Sequence, residues 1–433
     1  MAADGWLQSP FAEVIDFQEG PGILAKDFRD HGVPLVRLAG LGAGKSVLAG
    51  CNYLDPETVA RKWSHFALQE GDILLSTSAS LGRVTTVGAD GVGAIAYTGI
   101  IRMRPRDHRV VAPFIRYLLA GPEFQRQVEA AGVGSVIKHF GPMHLRRMSV
   151  QLPPPNEQSD IAHILGTLDD KIELNRRMNE TLEAIARAIF KSWFVDFDPV
   201  RAKASGEPPE SVCRRLGLTP DLLALFPDRL VDSELGEIPE GWAVKSLDEI
   251  ANYLNGLALQ KYPPESEIEW LPVIKIAQLK SGSSVGADRA SHRLDPDYVV
   301  DDGDVLFSWS GSLEVDVWCG GRGALNQHLF KVTSKSFPKW FFFHWTREHL
   351  AHFRTIAAGK AVTMGHIQRK HLTEALCVVP SGALIKAADN IVAPMLQTVI
   401  ENRRQARTLA ATRDTLLPKL LSGELHVPLD GAA

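Results

Sequence analysis

From Ile161 onward the apolar positions recur in alternating steps of four and three, through Leu165, Leu168, Ile172, Asn175, Asn179, Leu182, Ala186, Ile189 and Trp193. The same rhythm returns in Ala388, Val392, Met395, Val399, Asn402, Ala406, Leu409, Arg413, Leu416 and Leu420. Such steps place every residue of a set on one stripe of a helix. A lone stripe of that length would leave much apolar surface in water, whereas two stripes can bury each other, so the spacing predicts a coiled coil of two long helices. Asn156 and Ser381 supply the starts, and Pro199 and Gly423 lie just past the ends. At 1.5 Å per residue the first helix is on the order of 55 Å long. Pro394 and Pro418 fall inside the second helix, where each removes a backbone donor and crowds the preceding turn, and kinks are expected there. Asn175 and Asn402 share one seam position; an amide buried there fixes register, and a solvated one does not.

The remaining pattern is also written twice. "PLVRLAGL" from Pro34 answers "PVIKIAQL" from Pro272, and "EGDILLSTSASLGRVTTVG" from Glu70 answers "DGDVLFSWSGSLEVDVWCG" from Asp302. Further along, "VGSVIKHFGPMHLRRM" and "KAVTMGHIQRKHLTEA" keep one offset of 227 residues, as do "NRRMNETL" and "NRRQARTL". Within each repeat, short β-type runs separated by Gly, Pro and Asp turns precede one or two helices and then the long helix, which is an α+β pattern. The expected division is a first α/β domain at 1–155, a first long helix at 156–198, a linker at 199–236, a second α/β domain at 237–380, a second long helix at 381–423 and a tail at 424–433. If the repeats are related by a pseudo-twofold axis, the helices run antiparallel and separate the two domains.

At 433 residues the chain is too long for one ordinary core. Cys51, Cys213, Cys319 and Cys377 are far apart, which argues against a zinc site and a disulfide framework. The start "MAADGWLQSP" has no secretory pattern and there is no run of eighteen apolar residues, so a cytoplasmic location without membrane attachment is expected. Net charge is -4, and most of the acidic excess falls in residues 156–236, with 10 Lys+Arg against 15 Asp+Glu. Any basic surface must therefore be a local patch.

Two similar but non-identical domains held apart by a helical spacer suit a duplex whose major-groove faces recur about every 34 Å. Hydroxyl side chains and backbone N–H groups at Ser76, Ser78 and Ser80, and at Ser308, Ser310 and Ser312, suit phosphate oxygens. "LAGLGAGKSVLAG" carries Ala39, Gly44, Lys45 and Ser46 at the spacing of a relaxed phosphate-binding loop. A working loop of that kind needs a helix directly after it, and Gly50, Asn52 and Pro56 stand where the helix would be. Nucleotide hydrolysis is disfavoured on that ground. His344, His349 and His352 lack the His-Glu-x-x-His order of a zinc protease helix, and no nucleophile, base and orienting group stand together.

"QLPPPNEQSDIAHILGTLDDKIELNRRMNETLEAIARAIFKSWFVDFDPVRAK", "ELGEIPEGW" and "TMGHIQRKHL" resemble the specificity subunits of type I restriction-modification systems over almost the entire chain. The resemblance implies two target-recognition domains reading a bipartite, asymmetric site on double-stranded DNA. It also implies two modification subunits that methylate adenine with S-adenosylmethionine, and restriction subunits that use ATP and magnesium. No catalytic centre, cofactor or metal is implied for this chain itself. Residues expected to approach DNA are Lys45, Ser78, Arg83, Lys138 and His139 in the first domain, and Lys280, Ser310, Lys360, Thr363, His366 and Gln368 in the second. Glu314 and Asp316 depart from the first repeat and are expected to repel phosphate. Phe190, Trp193, Phe194 and Phe197 form an aromatic cluster suited either to a modification subunit or to burial against the chain's own domains. A scaffold that joins two protein partners is the rival reading.

Overall fold

A computed structural model describes residues 5–42, 46–77, 82–131, 140–359 and 365–427. The chain is α+β and divides into two units, Met1–Leu174 with Thr408–Ala433, and Asn175–Arg407. In the first unit Ile15–Glu19, Ile100–Pro105, Ile73–Ser76 and Val84–Thr86 form an antiparallel sheet in that order. A second sheet orders Phe28–Arg29, Asn52–Leu54, Val33–Val36 and Ile95–Ala96, the last two parallel. Leu7–Pro10 closes on Ser149–Leu152.

The second unit repeats the antiparallel sheet of this plan strand for strand. Its antiparallel sheet is Asn252–Asn255, Leu329–Thr333, Val305–Ser308 and Val315–Val317. The mixed sheet again contains a parallel pair, Leu271–Ile274 with Gly323–Leu325, and Ala243–Ser246 closes on Leu376–Val379. The duplicated pattern therefore encodes a duplicated antiparallel sheet and a duplicated parallel pair, the pair standing at the edge of its sheet in the first unit and inside it in the second.

One glycine in each repeat shows how closely the copies agree. A Cβ on Gly20 would lie 2.1 Å from the Ala96 carbonyl oxygen, and one on Gly256 would lie 2.2 Å from that of Asn326. Both stand where the antiparallel sheet crosses the end of the parallel pair, and the obstacle is backbone, which cannot rotate away. Gly20→Ala and Gly256→Ala are each expected to destabilise their own unit by about 1–3 kcal/mol in denaturant melts. An unchanged midpoint in both would show that the two sheets can separate at no cost.

The two long helices, Pro155–Phe190 and Gly382–Ser422, contribute to both units. In the first unit Asp169 meets Arg413 at 2.6 Å and Glu157 meets His426 at 3.3 Å. In the second, the Asn175 amide donates to Gln405 at 2.8 Å and that of Asn402 to Asn179 at 2.9 Å. Rising numbers on one helix meet falling numbers on the other in each unit, so the pairing is antiparallel. Asn175 is fully buried and Asn179 nearly so, which settles that this seam amide is in the interface.

Each unit roots the helices in its own core. Ile161, Leu165 and Leu420 pack with Phe11, Phe114 and Phe140 in the first; Ala186, Phe190, Leu384, Ala388 and Val392 pack with Trp340 and Phe341 in the second. The second long helix is long and apolar enough by composition to cross a membrane, yet these residues face the protein core. It runs without interruption through Pro394 and Pro418. Ser381 Oγ accepts from Leu384 N, and Gly423 leaves the helix at a φ of 71°. The first long helix passes at Lys191–Val195 into a wider π turn and ends at Phe197, in the left-handed region at a φ of 57°, while Pro199 opens the next helix. Residues 199–236, expected as a linker, form helices Asp198–Ala204, Pro209–Leu216 and Pro220–Ala224 and a hairpin. Val200, Val212, Leu223 and Phe226 bury into the second core, a fate that such short, proline-started helices do not announce by periodicity.

Candidate nucleic-acid interface

The third and fourth strands of each antiparallel sheet pair with each other, and the segment that joins them contains the serine-rich stretch, of which residues 78–81 in the first unit lie outside the described residues. In the first unit Ser76 N donates to Arg83 O at 2.9 Å and Arg83 N donates to Ser76 Oγ at 2.9 Å. In the second, Ser308 N donates to Glu314 O at 2.8 Å and Glu314 N donates to Ser308 Oγ at 2.7 Å. The reciprocal bonds make Arg83 and Glu314 structural equivalents. The aligned letters placed Gly82 opposite Glu314, because the first tip is one residue longer. The buried serines are thus hinge posts that close the tip; they do not offer hydroxyls outward.

Arg83 is exposed, with its guanidinium donating to Leu41 O at 3.4 Å. Its counterpart Glu314 is neutralised from another element. Arg354, on the helix Leu350–Ala358, donates to Glu314 Oε2 at 3.2 Å and to Leu313 O at 3.0 Å. Asp316 accepts two bonds from Arg403, at 3.0 and 3.1 Å. The expectation that these two carboxylates repel phosphate is corrected accordingly, since each is paired with a guanidinium. Lys280, Ser312, Glu314, Arg354 and Gly365 line one open cleft of about 410 Å³ beside the second tip. Two cations and one anion leave that rim with a positive balance.

The second tip is held from behind. Trp309 Nε1 donates to Asn255 Oδ1 at 2.8 Å, and Ile367 N donates to Trp309 O at 2.9 Å. Ser310 forms a bridge to His366, and its hydroxyl lies 2.8 Å from His328 Nδ1. Ser310 is therefore buried and its hydroxyl occupied, which removes it from the set of DNA contacts. His366 is half-buried with its ring edge-on to Trp309 at 6.2 Å. Gln368 is exposed and its amide N donates to His371 Nδ1 at 2.9 Å. The same turn recurs 227 residues earlier, where Gly141 N donates to His144 Nδ1 at 3.1 Å. Lys280 is exposed in the last turn of Ile276–Ser281. The expected contacts Lys45, Ser78, Lys138, His139, Lys360 and Thr363 lie outside the described residues. Arg354 and His328 were missed, because residues distant in sequence give no local signal of meeting a hairpin tip.

After Ser46, whose hydroxyl donates to Asp90 at 2.5 Å, the chain makes a turn and then the strand Asn52–Leu54. The helix that a phosphate-binding loop needs does not begin there.

Phe190, Trp193, Phe194 and Phe197 are buried in the core of the second unit. Phe194 alone has ring neighbours in Phe190, Trp193, Trp242, Trp340 and Phe341, at centroid distances of 5.6 to 6.1 Å. Their reading as a partner surface is corrected: the rings are spent on the fold. His344 stacks on Phe190 at 5.0 Å in the same cluster, and burial pushes its imidazole down to about 3. His349 bonds to Leu376 O at 3.0 Å, so two of the three clustered histidines serve packing.

Residues 4–184 match the family described as type I restriction modification DNA specificity domain. The type I restriction enzyme MjaIX specificity subunit of Methanocaldococcus jannaschii is 25% identical over 384 residues, covering 86% of this chain and 81% of that protein. The HindI specificity subunit of Haemophilus influenzae is 26% identical over 407 residues, covering 83% and 87%. A crystal structure of the type I restriction-modification S subunit from M. genitalium aligns over 96% of each chain with a TM-score of 0.56 at 15% identity, a likeness of fold.

Proposed function

We infer, from the match of residues 4–184 to the type I restriction modification DNA specificity domain and the likeness to curated specificity subunits, that this chain is such a subunit and reads a bipartite, asymmetric DNA target, one half with each unit. As a specificity subunit it does no chemistry itself. Methylation of adenine with S-adenosylmethionine, and restriction with ATP and magnesium, fall to partner subunits. The observation that carries the reading of two different halves is the pair of equivalent hairpins with unlike tips, an exposed arginine on one and a glutamate-arginine pair on the other. Equivalent position with different chemistry is what two recognition surfaces on one plan require. Lys45, Ser78, Lys138, His139, Lys360 and Thr363 stay proposed as DNA contacts from sequence alone, and Arg83, Arg354, Lys280, His366 and Gln368 are proposed beside them.

Partner subunits need another face than the aromatic cluster. Met178 and Ile185, a heptad apart on the first long helix, are 40% and 43% exposed, and they offer an apolar line to a partner helix. The corresponding residues of the second helix are Gln405 and Thr412.

The decisive experiment is methylome sequencing of the native cell with and without this chain. Loss of one split methyladenine motif is expected; an unchanged methylome would leave the protein scaffold as the better reading. Within the assembled methyltransferase, Arg83→Ala and Arg354→Ala should each weaken duplex binding a few-fold and lower the slope of log affinity against log salt by about 1. A slope that stays put would remove that arginine from the phosphate contacts.

A further inference from the structure

We propose that Arg403 and Arg407, one turn apart on the second long helix, latch the second hairpin and set the pose of its tip, which makes them positioning residues for the second unit's half of the target. The inference rests on the function proposed above. Val315–Val317 is the last strand of its sheet, and such an edge presents carbonyls with no neighbouring strand to bond. Arg403 Nη1 donates to Val317 O at 2.9 Å and to both carboxylate oxygens of Asp316, while Nη2 reaches Glu183 on the first long helix at 2.8 Å. Arg407 Nη1 donates to Cys319 O, and its guanidinium grips Asp302 at 2.7 and 2.8 Å. Arg404 lies 3.4 Å from the same carboxylate, which also accepts from Gly321 N at 2.8 Å. These donors hold the Asp302 carboxyl below its usual range, Arg407 chiefly.

The spacing explains why two arginines fit. Carbonyls two residues apart on an extended strand point the same way and lie about 6.8 Å apart. Helix positions four apart rise about 6 Å, so successive turns of the helix meet the carbonyls of Val317, the last residue of the strand, and Cys319, two residues beyond it. The two guanidiniums act as a substitute strand. Between the clamp and the tip there is only the short strand, so the clamp fixes residues 309–314 from the strand side while Asn255, Ile367 and Arg354 hold them from the other.

The device belongs to the second repeat. Thr85 pairs opposite Leu74 as Asp316 pairs opposite Leu306, and its hydroxyl accepts from Gly42 N at 2.9 Å. The residues 227 positions before Arg403 and Arg407 are Arg176 and Glu180, which pair with each other.

The test uses the full chain assembled with its modification subunits and compares wild type with the double variant Arg403→Met, Arg407→Met. Hydrogen exchange of amides in residues 309–319 is expected to quicken roughly ten-fold or more, with Ala243–Ser246 unaffected. Affinity for the cognate duplex should fall about ten-fold, towards that for a duplex with its second half scrambled, while the penalty for scrambling the first half persists. The conservative pair Arg403→Lys, Arg407→Lys, which keeps charge without the fork, should recover part of the loss. Unchanged exchange overturns the latch. Faster exchange with full discrimination at the second half, or equal loss at both halves, overturns the positioning role. If wild type prefers no bipartite duplex, the reading of function fails, and exchange alone then judges the latch. Should the double variant not fold, Asp316→Asn weakens the same clamp with both arginines in place and carries the same tests.

Discussion

Replacing residues 237–380 with the corresponding segment of a type I specificity subunit is expected to rewrite one half of the methylated motif and leave the other half intact. The segment carries the whole sheet from Asn252 to Thr333, the second tip and the cleft beside it, and none of the first unit's strands. Each mismatched base pair costs about 1–3 kcal/mol, so the loss of a half-site several base pairs long lowers affinity for the old target by orders of magnitude. A graft must preserve the seat as well as the reader. Trp340 Nε1 donates to Asp389 on the second long helix at 2.8 Å, and Arg403 needs a carboxylate at the place of Asp316. A methylome in which both halves changed would show that the two units do not read independently.

The second large effect is on stability. Phe194→Ala should destabilise the second unit by about 3–5 kcal/mol, because it empties a ring from the centre of an aromatic cluster that cannot collapse around the gap. A fall on the order of 10 °C in the midpoint of that unit's thermal transition is expected. Met178→Ala, on the exposed line of the same helix, should leave melting almost unchanged and weaken assembly with the modification subunits. If instead Phe194→Ala melted like wild type and lost only assembly, the aromatic cluster would be a partner surface after all.

The same pair of residues marks where periodicity stops informing. A stripe of four-three steps identifies the residues that turn inward, and it found Ile161, Leu165, Ala186 and Leu420 correctly. Phe190, Trp193, Phe194 and Phe197 lie at the end of the stripe, where the helix widens into a π turn and the angular relation between residues changes. Composition there speaks equally for an interface and for a core, and only the neighbours Trp242, Trp340 and Phe341 decide it. Ser310 shows the converse error. A serine beside glycines in a turn resembles a phosphate contact, yet the chain from Gly365 to Ile367 comes back across this tip and takes up its hydrogen-bonding groups.

What the letters alone determined is the duplication, the α+β character of each copy, the two long helices and the resemblance to type I specificity subunits. All of these are carried by repetition and local periodicity, properties of neighbours in the chain. Tertiary structure alone decided that Arg83 and Glu314 are counterparts, that Glu314 and Asp316 are paired with arginines, and that Ser76 and Ser308 bond across the two hairpins. Charge and hydrogen bonding act between groups a few ångströms apart in space, and residues 40 or 87 positions apart, such as Arg354 with Glu314 and Arg403 with Asp316, become neighbours only when the chain folds.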